Sequence, residues 1–165
     1  MALKARIEAV QAKGEIWVRR LGPTDSAVLA QLARENGRFG HALDRPALEP
    51  LSPTDTRTFL ADERTICLVA FEGQEPVGFL YACELYRRHT ALRHLCLYEI
   101  AVAEDHRDLG IGGQLLQKLA EQARKRHIDK GFVITNGSNR EVMALYESVG
   151  GIRGSDDDVV WVLQF

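Results

Sequence analysis

From residue 98 to 113 the chain reads Tyr98-Glu99-Ile100-Ala101-Val102-Ala103-Glu104-Asp105-His106-Arg107-Asp108-Leu109-Gly110-Ile111-Gly112-Gly113. An apolar run ends in a polar turn. Glycines then open the long amphipathic stretch Gly110 to His127, in which Ile111, Leu115, Leu116 and Leu119 recur at helical spacing. A buried strand handed directly to such a helix commits the chain to a layered α/β fold, because the helix must bury its apolar stripe against the sheet. The helix start also carries chemistry. Its first backbone N–H groups lack intrahelical acceptors, and glycine lets an anion approach the main chain without a side chain in the way. A P-loop is excluded because no Gly-Lys-Ser/Thr follows, and Gly110-x-Gly112-Gly113 lacks the third glycine of a dinucleotide fingerprint.

The flanking sequence supplies the sheet. Thr65 to Phe71, Val77 to Tyr86 and His94 to Ala103 are β-rich runs forming an antiparallel meander, the first two joined through Glu72-Gly73-Gln74-Glu75-Pro76 as a longer hairpin loop. Upstream, Ile16 to Leu21 reads as a first strand. Gly22-Pro23-Thr24-Asp25 starts a helix that buries Val28, Leu29, Leu32 and Ala33 and stops at Gly37, and Phe39 to Leu51 is a loop. Ser52-Pro53-Thr54-Asp55 starts a second helix, with Ser52 as cap and Pro53 at the first helical position. After the glycine-led helix come a strand at Gly131 to Thr135, a helix at Asn139 to Val149 and a last strand at Val159 to Phe165. A meander that passes through a helix to a parallel neighbour is a mixed, mostly antiparallel α/β sheet flanked by helices. Met1 to Gly14 reads as an extra amphipathic helix with Leu3, Ile7 and Val10 on one face, and has no signal-peptide core. No repeat or linker divides the chain, so residues 1–165 are expected to form one domain.

Charge and cysteine usage narrow the function classes. With 21 Lys+Arg against 23 Asp+Glu the net charge is −2, which argues against a nucleic-acid partner held by phosphate neutralisation. The basic stretch Lys118 to Lys130 also holds Glu121 and Asp129 and reads as a solvated helix face. Cys67, Cys83 and Cys96 make an odd count, each within an apolar run and without C-x-x-C or Cys/His ligand spacing. Buried reduced thiols are expected, with no metal, in a reducing cytoplasmic compartment. No apolar span is long enough for a bilayer, so no membrane partner is expected.

Arg107-x-x-Gly110-x-Gly112 resembles the Arg/Gln-x-x-Gly-x-Gly/Ala pyrophosphate loop of the Gcn5-related N-acetyltransferases, in which a strand ending like Ile100-Ala101-Val102 comes immediately before the loop. A second motif agrees with it. Asn139-x-x-Val142-x-x-Leu145-Tyr146-Glu147-x-x-Gly150 resembles that family's Asn-x-x-Ala-x-x-Leu-Tyr-Glu-x-x-Gly, whose tyrosine lies near the coenzyme sulfur. Arg20-Leu21-Gly22-Pro23, Arg38-Phe39-Gly40, the meander, Tyr98 to Val102 and Ala144-Leu145-Tyr146 are similar to the type I aminoglycoside (gentamicin) 3-N-acetyltransferases, over about Ile16 to Arg153. The chain departs from that group in its extra N-terminal helix, in Glu99 where the resistance enzymes carry aspartate, and in Gly154-Ser155-Asp156 before the last strand.

The resemblance implies a Gcn5-related N-acetyltransferase fold and acetyl-CoA as co-substrate, with no metal. It also implies acetyl transfer to a primary amine, foremost the 3-amine of an aminoglycoside, which would confer antibiotic resistance. Such a reaction needs a base for the ammonium and stabilisation of the developing oxyanion. Glu99 is the expected general base. Taken as alternating, residues 97, 99 and 101 share a face, so a solvent-turned Glu99 would expose Leu97; pairing with Arg93 is the other structural explanation. Tyr146 is expected to protonate the departing thiolate. Main-chain groups of Ile100, Ala101 and Val102, freed by a bulge as the resemblance implies, would hold the pantetheine. The loop Arg107, Asp108, Leu109, Gly110, Ile111, Gly112 and Gly113 would take the pyrophosphate, and Asn139 and Tyr146 complete the coenzyme contacts. His106 reads as a surface histidine. Glu84, Glu99, Asp156, Asp157 and Asp158 form a candidate lining for a small polycationic amine, although Asp156 to Asp158 equally read as a solvated turn. A homodimer is the expected assembly. Another small amine, a peptide or a protein amine is the alternative acceptor. A non-catalytic acyl-CoA-binding domain is the remaining reading, and Glu99 and Tyr146 argue against it, since a binding module needs neither.

Overall fold

Runs rich in β-branched and aromatic residues, with glycine and polar residues between them, become the strands β1 (Ile16–Arg20), β2 (Thr65–Glu72), β3 (Glu75–Tyr86), β4 (Arg93–Val102) and β5 (Gly131–Val133). In this computed structural model, which describes residues 14–40, 46–155 and 163–164, they form one sheet in the order β1-β2-β3-β4-β5. Neighbours are antiparallel up to β4, and β5 joins parallel to it. The mixed sheet follows the expected plan. The chain divides into two compact units, Met1–Ile134 and Thr135–Phe165.

Within the first unit, β2 is buried from Thr65 to Phe71, as suits an unbroken apolar run with cover on both faces. On one face lies α3 (Ile111–Lys125), which buries Ile111, Leu115, Leu116 and Leu119. A Cβ at Gly78 would come within 3.0 Å of Ile111 Cγ2 and 3.5 Å of Leu115 Cδ1, so glycine in β3 permits the close seating of the helix. The other face carries the cluster of Leu32 from α1 (Ser26–Arg34), Leu60 from α2 (Pro53–Ala61), Phe39, Cys67, Val69 and Phe71. Ser52 caps α2 by accepting from Asp55 N at 3.1 Å, with Pro53 first in the helix, as the sequence predicts.

Two connections differ from expectation. The β2–β3 loop shrinks to Gly73-Gln74, with Gly73 at φ +59, because pairing continues to Glu72 and Glu75. A 3-10 turn, Asn36–Phe39, follows α1 where helix stop and loop were expected, and Asn36 Nδ2 donates to Pro46 O at 3.0 Å. Asp25 sits at the start of α1 without capping it. Its carboxylate holds Arg19 at 2.7 and 2.8 Å and accepts from Gly22 N at 2.8 Å.

In the second unit, α4 (Arg140–Ser148) starts at Asn139, whose Oδ1 accepts from Val142 N at 3.2 Å. It ends at Gly150, in the left-handed region at φ +82, while Gly151 N donates to Tyr146 O at 2.9 Å. The expected helix Met1 to Gly14 and last strand Val159 to Phe165 fall outside the described residues, apart from Gly14, Leu163 and Gln164, which belong to no helix or strand.

Candidate active site

The register of β3 and β4 breaks once. Tyr81 opposes Glu99, yet Ala82 opposes Leu97, so Tyr98 is the extra residue of a β-bulge. Opposed residues point to the same face, and the bulge therefore turns Leu97 and Glu99 to opposite faces of the sheet. This corrects the alternation assumed for residues 97, 99 and 101. Leu97 is buried with Ala82 and Leu80 on the α3 face, whereas Glu99 joins Tyr81, Phe79 and Ala101 on the face covered by α1 and α2. Glu99 is half-buried there. Tyr81 also opposes Cys67 of β2, so Cys67 and Glu99 share this face, and burial, with a smaller contribution from the Glu99 charge, pushes the Cys67 thiol up to about 12. Aromatic rings crowd the position. Phe59 of α2 meets Tyr81 edge-on at 5.1 Å between centroids, and Tyr98 meets Tyr81 at 5.6 Å. This cluster escaped the sequence reading, because only the register brings Phe59, Tyr81 and Tyr98 together.

The same strand offers main-chain donors. Pairing with β5 covers only Leu95, Cys96 and Leu97. Ala103 N donates to Val77 O, on the β3 side, so by alternation the N–H and C=O groups of Ile100 and Val102 face the opposite edge while those of Ala101 face β3. Among the described residues no strand pairs with that edge beyond Leu97. Of the main chain expected to hold the pantetheine, Ile100 and Val102 thus face this edge, whereas Ala101 faces β3.

The loop after β4 is shaped for an anion. Asp108 (φ +59) and Gly110 (φ +76) both take the left-handed conformation within three residues, which turns successive N–H groups toward one side. No side chain caps α3, and its first intrahelical bond from residue 114 runs from Gln114 N to Gly110 O. The leading N–H groups at Ile111, Gly112 and Gly113 are thus those a phosphate would meet. A Cβ at Gly113 would touch nothing within 4 Å, so packing does not demand glycine there, and a bare main chain facing open space fits a pyrophosphate. Arg107 has a structural partner, donating from Nη2 to Gly40 O at 2.7 Å.

Other expected residues are placed differently. Glu84 is 4% exposed and lies on the α3 face, its Oε2 bound to Arg93 at 2.6 Å and its Oε1 to Arg126. With both oxygens committed below the surface, it is not part of a substrate lining. Arg93 is accordingly the partner of Glu84 rather than of Glu99. His106 is buried rather than on the surface: Nδ1 lies 2.8 Å from Asp105 Oδ1 and Nε2 lies 3.2 Å from Glu72 Oε2. It braces the turn before the phosphate-facing loop against β2. Asp156, Asp157 and Asp158 fall outside the described residues. Asn139, expected among the coenzyme contacts, caps α4 through its Oδ1. Tyr146 is half-buried on α4, and burial raises its hydroxyl above the ordinary tyrosine range. Cys67 is buried as expected, but Cys83 and Cys96 are only half-buried; all three are free thiols. Of the basic stretch Lys118 to Lys130, Arg124, Lys125 and Lys130 are exposed and Lys118 pairs with Glu121 at 2.9 Å, but Arg126 turns inward to Glu84 instead of forming a solvated face. Among the described residues no group of His, Cys, Asp or Glu could hold a metal ion, and no helix is long and apolar enough to cross a membrane.

Curated proteins similar to this chain include N-alpha-acetyltransferase 30 of Xenopus laevis, 28% identical over 111 residues, which make up 67% of this chain and 40% of that protein. The Homo sapiens N-alpha-acetyltransferase 30 is 29% identical over 105 residues, 64% of this chain and 29% of that protein. The match thus spans less than half the length of these relatives. Among solved structures, an aminoglycoside acetyltransferase from an uncultured soil metagenomic sample is 28% identical with a TM-score of 0.75, covering 91% of this chain and 99% of its own. A ribosomal-protein-alanine N-acetyltransferase from Brucella melitensis biovar Abortus 2308 is 25% identical with a TM-score of 0.66, covering 92% and 99%. Residues 31–151, which hold the bulged strand, the glycine-led helix and the tyrosine helix, match the acetyltransferase (GNAT) family as a whole, and the chain belongs to that family.

Proposed function

We propose that this protein transfers an acetyl group from acetyl-CoA to a primary amine, and that the acceptor is the α-amino group of a peptide or protein. The observation that carries the reading is Glu99: a half-buried carboxylate on a bulged strand whose outer edge beyond Leu97 is unpaired among the described residues, followed after a short turn by an uncapped, glycine-led helix start. Acetyl-CoA supplies the activated thioester. The N–H groups of Ile111, Gly112 and Gly113 receive its pyrophosphate, and those of Ile100 and Val102 hold its pantetheine and the thioester oxygen, where negative charge develops. Glu99 takes the proton of the acceptor ammonium, directly or through water, because only the free amine is nucleophilic. Tyr146, kept protonated by burial, gives its proton to the departing thiolate.

The acceptor class follows from what surrounds the base. With Glu84 held between two arginines, Glu99 stands beside Tyr81, Phe59 and Tyr98. Among the described residues, Glu99 is the carboxylate opposite Tyr81 in this aromatic cluster, a setting that suits a single ammonium on a partly apolar body through cation–π attraction better than a polycation that needs a counter-charge for each amine. The names of the curated relatives and of the Brucella structure agree. The second reading, acetylation of the 3-amine of an aminoglycoside, is favoured by the likeness to the soil enzyme along nearly all of that chain.

A screen for CoA release separates the two. Peptides with free N-termini should be turned over and their α-acetylated forms should not, with gentamicin and spermidine as parallel acceptors. Mono-acetylated gentamicin beside untouched peptides would establish the second reading. Acetyl-CoA should raise the Tm by binding the native state, and Gly112→Glu should abolish that shift by placing a carboxylate where the phosphates bind. Absence of both the shift and CoA release from the wild type would sink the whole proposal.

A further inference from the structure

Cys83 of β3 and Cys96 of β4 directly oppose each other, on the face that carries Tyr81 and Glu99. Directly opposed residues in antiparallel strands lie roughly 4.5–5.5 Å apart at Cα, within the range of about 4.4–6.8 Å that a disulfide spans. Both thiols are half-buried, so a small reagent reaches them. On this face of β4, Cys96 is followed by the bulge, where the Tyr98 ring meets Tyr81 and Glu99 stands opposite Tyr81.

We propose that Cys83 and Cys96 are a reversible disulfide site, oxidised by low-molecular-weight disulfides such as glutathione disulfide, and that closing it slows acetyl transfer by fixing the strand pair beside Glu99. The regulatory half rests on the function proposed above. Burial, and Cys83 itself, raise the Cys96 thiol above its ordinary range, which disfavours Cys96 as the first attacking thiolate. The Cys83 thiolate attacks one sulfur of glutathione disulfide; that S–S bond breaks and one glutathione leaves as thiolate. The Cys96 thiolate then attacks the Cys83 sulfur of the mixed disulfide and expels the second glutathione. Two thiol protons are lost and two electrons pass to the reagent, which ends as two glutathione thiols. Cys67, with its thiol pushed up to about 12, takes no part. The bond slows catalysis because a base displaced by a fraction of an ångström loses the geometry of proton transfer.

The test treats the reduced, folded protein with glutathione disulfide, then uses intact-mass and peptide mapping and measures CoA release in parallel. The wild type and Cys67→Ser should each lose two hydrogens, yield one linked peptide pair containing Cys83 and Cys96, and regain the original mass with dithiothreitol. Cys83→Ser and Cys96→Ser should give no internal bond. The acetylation rate should fall several-fold on oxidation of the wild type, recover on reduction, and stay unchanged under the same treatment in Cys83→Ser. A persistent glutathione adduct on the wild type, a bond to Cys67 or no oxidation would overturn the site. A mapped Cys83–Cys96 bond with an unchanged rate would overturn the regulatory half alone. A reduced protein inactive on every amine would overturn that half together with the proposed function, while the mass result would still decide the disulfide.

Discussion

Glu84 and Glu99 lie on adjacent strands of one sheet, and their surroundings divide them into a carboxylate held in a buried ion pair and the carboxylate we propose as the base. Glu84 faces α3, where Arg93 and Arg126 take both of its oxygens and tie β3, β4 and the end of α3 together. Glu99 faces the opposite side, half-buried among aromatic rings. Between them lies the bulge at Tyr98. Below it β4 is paired on both edges; above it β4 is paired on one, leaving Ile100 and Val102 an open edge. A single extra residue therefore separates a stretch that holds the sheet together from a stretch available to a ligand.

Glu84→Gln should have the largest effect, and on stability. Removing the charge leaves two arginines around a neutral amide, and breaking a buried ion pair of this kind costs about 3 kcal/mol. At roughly 2–4 °C per kcal/mol for a chain of this size, Tm should fall by about 6–12 °C. CoA release per folded molecule should stay near that of the wild type. A thermal melt within a degree of the wild type would return Glu84 to a dispensable role.

Glu99→Gln should show the reverse pattern. We expect kcat to fall roughly a hundredfold while Tm and the acetyl-CoA thermal shift hold, because the loss is of a proton acceptor. A variant that melts early but turns over normally would exchange the roles of the two residues.

Tyr146→Phe should lower kcat by roughly tenfold or more with little change in KM. Because burial raises the hydroxyl above the ordinary tyrosine range, the alkaline limb of the wild-type kcat profile should lie above pH 10 or so and vanish in the variant. An unchanged rate would leave Tyr146 as a packing residue.

The smallest effect concerns a third, less buried carboxylate. Asp25 is held below the usual carboxylate range chiefly by its hydrogen bond from Arg19, and also by Gly22 N–H. A depressed folded value means that the stabilisation is present above the unfolded value of about 3.9 and is lost as pH falls through the folded one. Asp25→Asn should therefore lower stability by less than about 1 kcal/mol at neutral pH, reflecting solvent screening. The gap from the wild type in urea denaturation should close in strong acid. A larger loss at neutral pH, or a gap that persists in acid, would show that partial exposure does not weaken this pair relative to Glu84.

Much of this was legible in the sequence, for local reasons. Strand runs, the Ser52-Pro53 helix start and the stripe of α3 follow from periodicity and capping, which act over a few residues. Gly110 was recognisable as the head of a helix because a left-handed turn before an uncapped start favours glycine. The misplacements at Glu84 and His106 share one cause. Each polar side chain is satisfied by partners distant in the chain, Arg126 for Glu84 and Glu72 for His106, and no local pattern announces such a partner.

The sequence by itself determined the order of the described elements, the glycine-led start of α3 and the family. Those depend on short-range backbone preference and on the spacing of apolar residues. Only the tertiary structure decided which face each side chain of β4 takes, because side chains alternate with a period of two and the bulge at Tyr98 shifts that period by one. That shift separates Glu99 from Leu97, sets it beside Phe59 and Tyr81, and aligns Cys96 with Cys83. Register is fixed by pairing across strands, which no single segment contains.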